Sequence, residues 1–416
     1  MTETLTYEAL RTAVAGPGVG IRARTKLEPL GGPGDKVQPP TYGVSDRADT
    51  KYALETRTFG GETTRTVVLD SVASQANRLE LALLEATRDG DTEVPVVSVD
   101  FSGIAGLEDL DRISSLEASH RVFDAILRDS LLGDRLFRLS DVGVAITEAS
   151  VKNAAGLFRY SPTTLLFGGW DSTGPKGGKG AKYERALTSE VIGTGVEVGV
   201  RTSSRIDAVG IEKVATIYRS DGGGTQPDWT LDPAEALTTS KKPVEARPSE
   251  INHGNVTPSI DTRAGGVTVK EITAITVLSF IQLRRLRFPV DADGARLDGE
   301  ARRTAEVAAR TALAALGLAA ATLAFEEGFD LRSRCVLVPT TDIRFELLQR
   351  GGTSTELTLE RDSALALLDE ARAAAVAAGL AWETDEILLQ PTDRLVELIT
   401  RSRAVAATEA PEGADA

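Results

Sequence analysis

The stretch "ALAALGLAAATLAF" at 312–325 places the strongest constraint on what this chain can fold into. It is apolar on every side at helical spacing. As a helix it has no solvent face and must be enclosed by other elements. It is too short and too weakly apolar for a membrane span, so the expectation is a buried helix. Enclosing it takes a large core, and 416 residues are enough for one. That length suggests two or three lobes, or one domain with large insertions.

The rest of the pattern supplies the enclosure. Residues 17–43 hold a strand and then a Gly/Pro loop. "TRTVVLD" (64–70) is a β-branched strand that runs straight into a helix over 71–88. "VPVVSVDF" (94–101) reads as a central strand. Residues 107–137 read as a polar helical insertion, with Leu107, Leu110, Ile113, Leu116, Val122, Phe123, Ile126 and Leu127 as its apolar contacts. The segment 161–193 opens as a strand and breaks into a Gly/Lys loop. Residues 219–262, rich in Pro and Gly, read as an excursion from the core. A strand with an amphipathic, basic-ended helix spans 265–288. An Ala-rich helix at about 299–326, a strand at 335–348 and a helix near 361–379 follow. The small acidic tail from 404 reads as disordered. Alternation broken by long insertions predicts an α+β sheet domain with excursions.

Several chemistries are excluded by supply. Two histidines and the single Cys335 leave no His-rich zinc site, CxxC motif or disulfide framework. Neither metal nor cofactor is expected. "GPKGGKG" (174–180) has the wrong spacing for a phosphate loop, and no nucleophile elbow occurs. The N-terminus lacks a signal-peptide pattern, and a cytoplasmic protein with no membrane partner is expected. A net charge of −14 argues against a generic nucleic-acid coat, though not against a narrow basic track on an acidic body.

Four patches suit such a track. In the helix from 71, Val72, Ala76, Leu79 and Leu83 form one stripe, while Ser71, Ser74, Gln75 and Arg78 form another. The polar stripe is either an N-cap with a solvated face or an anion site at a helix N-terminus. Arg284, Arg285 and Arg287 lie at a helix C-terminus, where they either complement the dipole or meet phosphates. Lys176, Lys179 and Lys182, near Trp170 and Tyr183, suit a single strand, or form a plain surface loop. Arg22, Arg24 and Lys26 alternate onto one side of a strand. Together the patches suggest nucleic acid tracked across the chain rather than a catalytic pocket.

The strings "VVLDSVASQANRLE", "SPTTLLFGGWDS", "KYERALTSEVIG", "RIDAVGI", "PSEINHGN" and "LSFIQLRRLRF", in this order, resemble the large backbone subunit of a type I CRISPR–Cas interference complex (Cascade). The subtype resembled is I-G, formerly I-U. The subunit belongs to the Cas-seven group of the RAMP superfamily. The resemblance runs from about 17 to about 348. It implies a modified RRM-like, ferredoxin-like palm with a helical fingers insertion and a β-hairpin thumb. The palm would occupy 1–101, 151–214 and 265–380, the fingers 102–150 and the thumb 215–264. A C-terminal extension would occupy 381–416. The implied function is non-catalytic. Copies polymerise along the spacer of the crRNA and present it for pairing with the target DNA strand. A large subunit and a subunit that caps the guide 5′ end or processes guides would complete the assembly. Ser71, Ser74, Gln75, Asn77 and Arg78 are the first implied RNA contacts, on a face expected to hold no acid. Arg22, Arg24, Lys176, Lys179, Lys182, Arg205, Arg284, Arg285 and Arg287 come second. The alternative is a RAMP-type ribonuclease using Asp207 or Asp171.

Overall fold

A computed structural model describes residues 3–45, 47–174, 181–212, 214–222 and 226–408. The chain divides into two compact units. The first comprises Met1–Pro40, Ala53–Val196 and Val269–Arg401, and the second Thr41–Tyr52, Glu197–Thr268 and the chain from Ser402. Both helices and antiparallel sheet are present, as the α+β expectation requires.

The first unit is organised by one large sheet. Its strands are β1 (Glu3–Thr4), β2 (Gly18–Pro29), β3 (Leu54–Phe59), β4 (Glu62–Asp70), β5 (Leu187–Thr194), β6 (Glu271–Ser279), β7 (Phe329–Arg332), β8 (Cys335–Pro339), β9 (Phe345–Gln349) and β10 (Ser354–Thr358). The spatial order is β1-β10-β9-β2-β6-β5-β4-β3. β8 joins the far end of β2 and β7 pairs β8. Every pairing is antiparallel except β1 with β10.

Period-two alternation divides the sheet into two faces. On β2, Ile21, Ala23, Thr25 and Leu27 are buried, while Arg22, Arg24 and Lys26 point the other way. Ile21 stands opposite Leu278 of β6, which in turn stands opposite Leu187 of β5. These residues join the core formed with helices α1 (Tyr7–Ala15), α2 (Val72–Arg88), α3 (Gly299–Glu327) and α4 (Arg361–Ala377). α3 packs against α1, α2 and α4 and is the enclosed Ala-rich helix. It is long and apolar enough to cross a membrane, but 89% of its most apolar window is buried inside the protein. The small Ala side chains let neighbouring helices approach closely. Asp298 caps its N-terminus by accepting from the Ala301 amide.

Several local expectations are corrected. Residues 107–137 are not a helical insertion. They form 3₁₀ turns, one short helix (Ala125–Arg128) and short strands. Asp111 and Arg121 there adopt φ of 47° and 54°, which interrupts any helix. The 94–101 strand is Val97–Asp100. It lies inside a separate five-stranded sheet, between Arg112–Ser114 and the C-terminal strand Ile387–Pro391. "SPTTLLF" begins as a helix, Pro162–Phe167, with Pro at its first turn, because all six side chains are buried in the core. The helix after β6 is a single turn, Phe280–Leu283, and 335–348 is two strands, β8 and β9. A helix runs Asp393–Thr408, so 404–408 are helical, while the rest of the tail expected to be disordered lies outside the described residues.

The second unit is wider than the 215–264 excursion. Its longest pairing is an antiparallel ladder of Arg201–Arg205 with Val256–Asp261. A three-stranded sheet of Trp229–Thr230, Ile217–Arg219 and Glu245–Ala246 lies within the same unit.

Candidate nucleic-acid interface

The polar stripe of α2 is drawn inward by a carboxylate. β4 ends at Asp70, whose side chain is 1% exposed. Ser71 is the helix cap and accepts from the Ser74 amide at 3.3 Å. One turn on, Gln75 is buried and donates to Asp70 Oδ2 at 2.8 Å, while its Oε1 accepts from Ser189 of β5. Arg78 Nε donates to the same Asp70 oxygen at 3.1 Å. Its two terminal nitrogens donate to the carbonyls of Asp330 (2.9 Å) and Leu331 (2.6 Å) on β7. Arg332 Nη2 donates to Asp70 Oδ1 at 3.1 Å. A buried carboxylate needs compensating donors, and Gln75, Arg78 and Arg332 supply them. This corrects the expected acid-free face: Asp70 lies beneath it, and Gln75 and Arg78 join β4, α2 and β7. Ser71 and Ser74 are half-buried and Asn77 is exposed, so these three remain toward solvent.

The arginines after β6 are also largely committed. Arg284 donates to the carbonyls of Ala13, Val14, Gly16 and Gly18, closing the C-terminal end of α1. Burial lowers its pKa, as a guanidinium withdrawn from water requires. A Cβ on Gly18 would stand 2.6 Å from the Ala13 carbonyl oxygen, so the turn carrying these acceptors requires glycine. Arg287 donates to the Arg284 carbonyl and approaches Glu306 at 3.4 Å. Arg285 pairs with Glu184 while both stay about 60% exposed. Such surface pairs contribute roughly 0–1 kcal/mol and exchange readily.

On the solvent face of the sheet, cross-strand pairs offset most of the charge. Arg22 faces Glu346 on β9, Lys26 lies 3.8 Å from Glu271, and Arg57 of β3 is paired with Glu190 of β5. Arg24, between Arg22 and Lys26, is exposed and enters no such pair among the described residues. Lys182 is exposed and lies over the Trp170 ring, its Nζ 4.6 Å from the centroid. Lys176 and Lys179 lie outside the described residues.

In the second unit, Arg205 donates to the carbonyls of His253 (3.0 Å) and Gly254. Beside it Asp207 accepts from the backbone amides of Gly254 and Val209, and approaches His253 Nδ1 at 3.5 Å. Those amides, with His253, hold the Asp207 carboxyl below its usual range. Asp171, in the first unit, is buried and bonded to Arg138 at 2.7 Å. Among the described residues no group of three His, Cys, Asp or Glu side chains could hold a metal ion.

Sequence reasoning missed the Asp70 cluster, because its β7 partners lie about 250 positions away from α2. It also missed a buried pair beneath Trp170. Glu80 of α2 accepts two bonds from Arg121, each 2.7 Å, and Arg121 also donates to the Gly168 carbonyl. Burial pushes the Glu80 carboxyl up to about 7, against the pull of Arg121.

Residues 21–198, running from β2 through α2 to just past β5, match the family described as CRISPR-associated protein GSU0053. The similarity to this CRISPR-associated family covers that part of the chain, somewhat under half of its length. No curated protein matches the chain.

Proposed function

We propose that this chain is a non-catalytic, cytoplasmic backbone subunit of a CRISPR–Cas complex. Copies of it line the crRNA spacer and hold it for pairing with target DNA. The observation that carries the reading is the family match at 21–198, which contains the first strand and helix of a β-α-β-β-α-β path. That path is β2, α2, β5, β6, α3, β9. Its strands stand in the order β9-β2-β6-β5, or 4-1-3-2 along the chain. This order supports an RRM-like palm, with β3 and β4 added at one edge. The Arg201–Arg205/Val256–Asp261 ladder supports a thumb of hairpin form. The subtype proposed is I-G, with a large subunit and a guide-capping or guide-processing subunit as partners.

Phosphate contact is assigned first to Ser71, Ser74, Asn77 and Arg24, and to Lys182 with Arg285. Gln75, Arg78 and Arg284 support those positions from within. The ribonuclease reading is not favoured. Asp171 is held by Arg138, and Asp207 is occupied with backbone amides. The test is co-expression with a CRISPR array and its processing partner, followed by extraction of bound nucleic acid. The reading expects RNA of guide length and no cleavage of complementary RNA. Metal-dependent cleavage would favour the nuclease instead.

A further inference from the structure

Trp170 is 49% exposed, in a protein that buries most of its large aromatic side chains. It stands in a two-residue strand, Gly169–Trp170, paired with Lys182–Tyr183 so that Trp170 lies directly opposite Lys182. The Lys182 ammonium covers one face of the indole. The arrangement is fixed from below. Arg121, held by buried Glu80, donates to the Gly168 carbonyl, and Arg185 donates to the Phe167 carbonyl. The Tyr183 ring stacks on Phe123, with centroids 6.4 Å apart. Gly169 fits closely: a Cβ there would be 2.7 Å from Thr164 Cγ2. An exposed indole held this firmly loses little side-chain freedom when it binds a ligand.

Lys182, which covers the indole, also lines a cavity of about 60 Å³ together with Tyr183, Gln282 and Arg285. The Tyr183 hydroxyl is buried and has no hydrogen-bond partner among the described residues. Among the described residues, the Arg285 guanidinium is paired with exposed Glu184 alone. A flat π-surface next to two exchangeable cations and an amide matches one nucleotide: base on the indole, phosphate on the cations.

We propose that Trp170 is a stacking seat for an unpaired base of bound single-stranded RNA, with Lys182 and Arg285 taking the adjacent phosphate. This rests on the RNA-binding reading above and specifies one contact within it. The contact is indifferent to base identity, as a guide whose sequence changes with every spacer requires.

The test uses the full chain, an oligoadenylate, and an abasic ribose–phosphate oligomer of the same length. Oligoadenylate should quench Trp fluorescence in the wild type, and Trp170→Phe should lose most of that quenching. Trp170→Ala should weaken oligoadenylate binding by about 5- to 150-fold, the span that stacking of one base covers, while Trp170→Phe keeps most of the affinity. The abasic oligomer should bind the wild type no better than oligoadenylate binds Trp170→Ala. On the wild type alone the abasic oligomer should also bind more weakly than oligoadenylate, and that comparison needs no folded variant. If the abasic and base-bearing oligomers bind the wild type equally, without quenching, the stacking seat is wrong and RNA binding stands. If the wild type binds neither oligomer, alone or in its assembled complex, the RNA-binding reading itself fails.

Discussion

Arg78 tests how the polar stripe of α2 divides between structure and function. Its guanidinium makes three bonds, one to buried Asp70 and two to β7 carbonyls. Bonds to charged groups contribute roughly 1.5–3 kcal/mol each in isolation. The Arg78 side chain is 34% exposed, so water recovers part of the loss in an alanine variant. Asp70 also keeps Arg332 and Gln75, so its charge is not left unpaired. The net cost of Arg78→Ala should therefore be about 2–3 kcal/mol. Urea denaturation followed by far-ultraviolet circular dichroism measures it. RNA binding, measured well below the denaturation midpoint, should change less than about twofold, since such a change corresponds to under half a kcal/mol. An Arg78→Ala protein of unchanged stability that has lost RNA affinity would refute this and return Arg78 to the phosphate-binding face.

Arg24→Ala should behave in the opposite way. It should leave stability unchanged and lower the slope of log affinity against log salt by about 0.7, the loss of one single-strand phosphate contact; an unchanged slope removes Arg24 from the interface. Arg284→Ala removes donors from four carbonyls and should cost about 2–4 kcal/mol in the same urea titration; a cost under about 0.5 kcal/mol, the level of a neutral surface change, would show that water replaces them. Asp207 has a lowered carboxyl pKa in the folded state, so its contribution is present above the ordinary carboxylate range and is lost as pH falls through the lowered value. Proteolysis within Arg201–Asp261 should therefore rise on acidification, and Asp207→Asn should already be sensitive at neutral pH. Equal resistance of both proteins at neutral pH would contradict the clamp.

The legible parts of the fold were those whose local pattern has one physical solution. An all-apolar Ala-rich run has to be an enclosed helix, and α3 is one. "TRTVVLD" leading into Ser71 reads as strand, cap and helix, and the Ser71 hydroxyl makes the cap bond. The alternation of "IRARTK" appears on β2 as Arg22, Arg24 and Lys26 turned away from the helices. The illegible parts depend on distant partners. Thr163 and Thr164 carry strand propensity, but burial beside Leu165, Leu166 and Phe167 folds them into a helix. In 107–137 the apolar spacing resembled a helix, yet residues such as Ile113 and Leu131 sit on short strands beside Val97–Asp100 and Ile387–Pro391, the latter far along the chain. For the site, polar residues on an amphipathic helix read as solvated. Nothing local in Gln75 or Arg78 signals that Asp70 turns inward and that β7 offers two carbonyls. Lys182 and Trp170, by contrast, lie in one short segment that the sequence already marked for single-strand binding, and the structure adds that the two pair directly.

The most direct test of the central claim is composition. The chain is co-expressed with its CRISPR array, processing partner and remaining subunits. The purified particle is then weighed by native mass spectrometry, and its nucleic acid is sized on a denaturing gel. The account predicts one RNA of discrete guide length carrying several copies of this chain. A folded chain that remains free of RNA with every subunit present, while processed guide accumulates in the same cells, would contradict it.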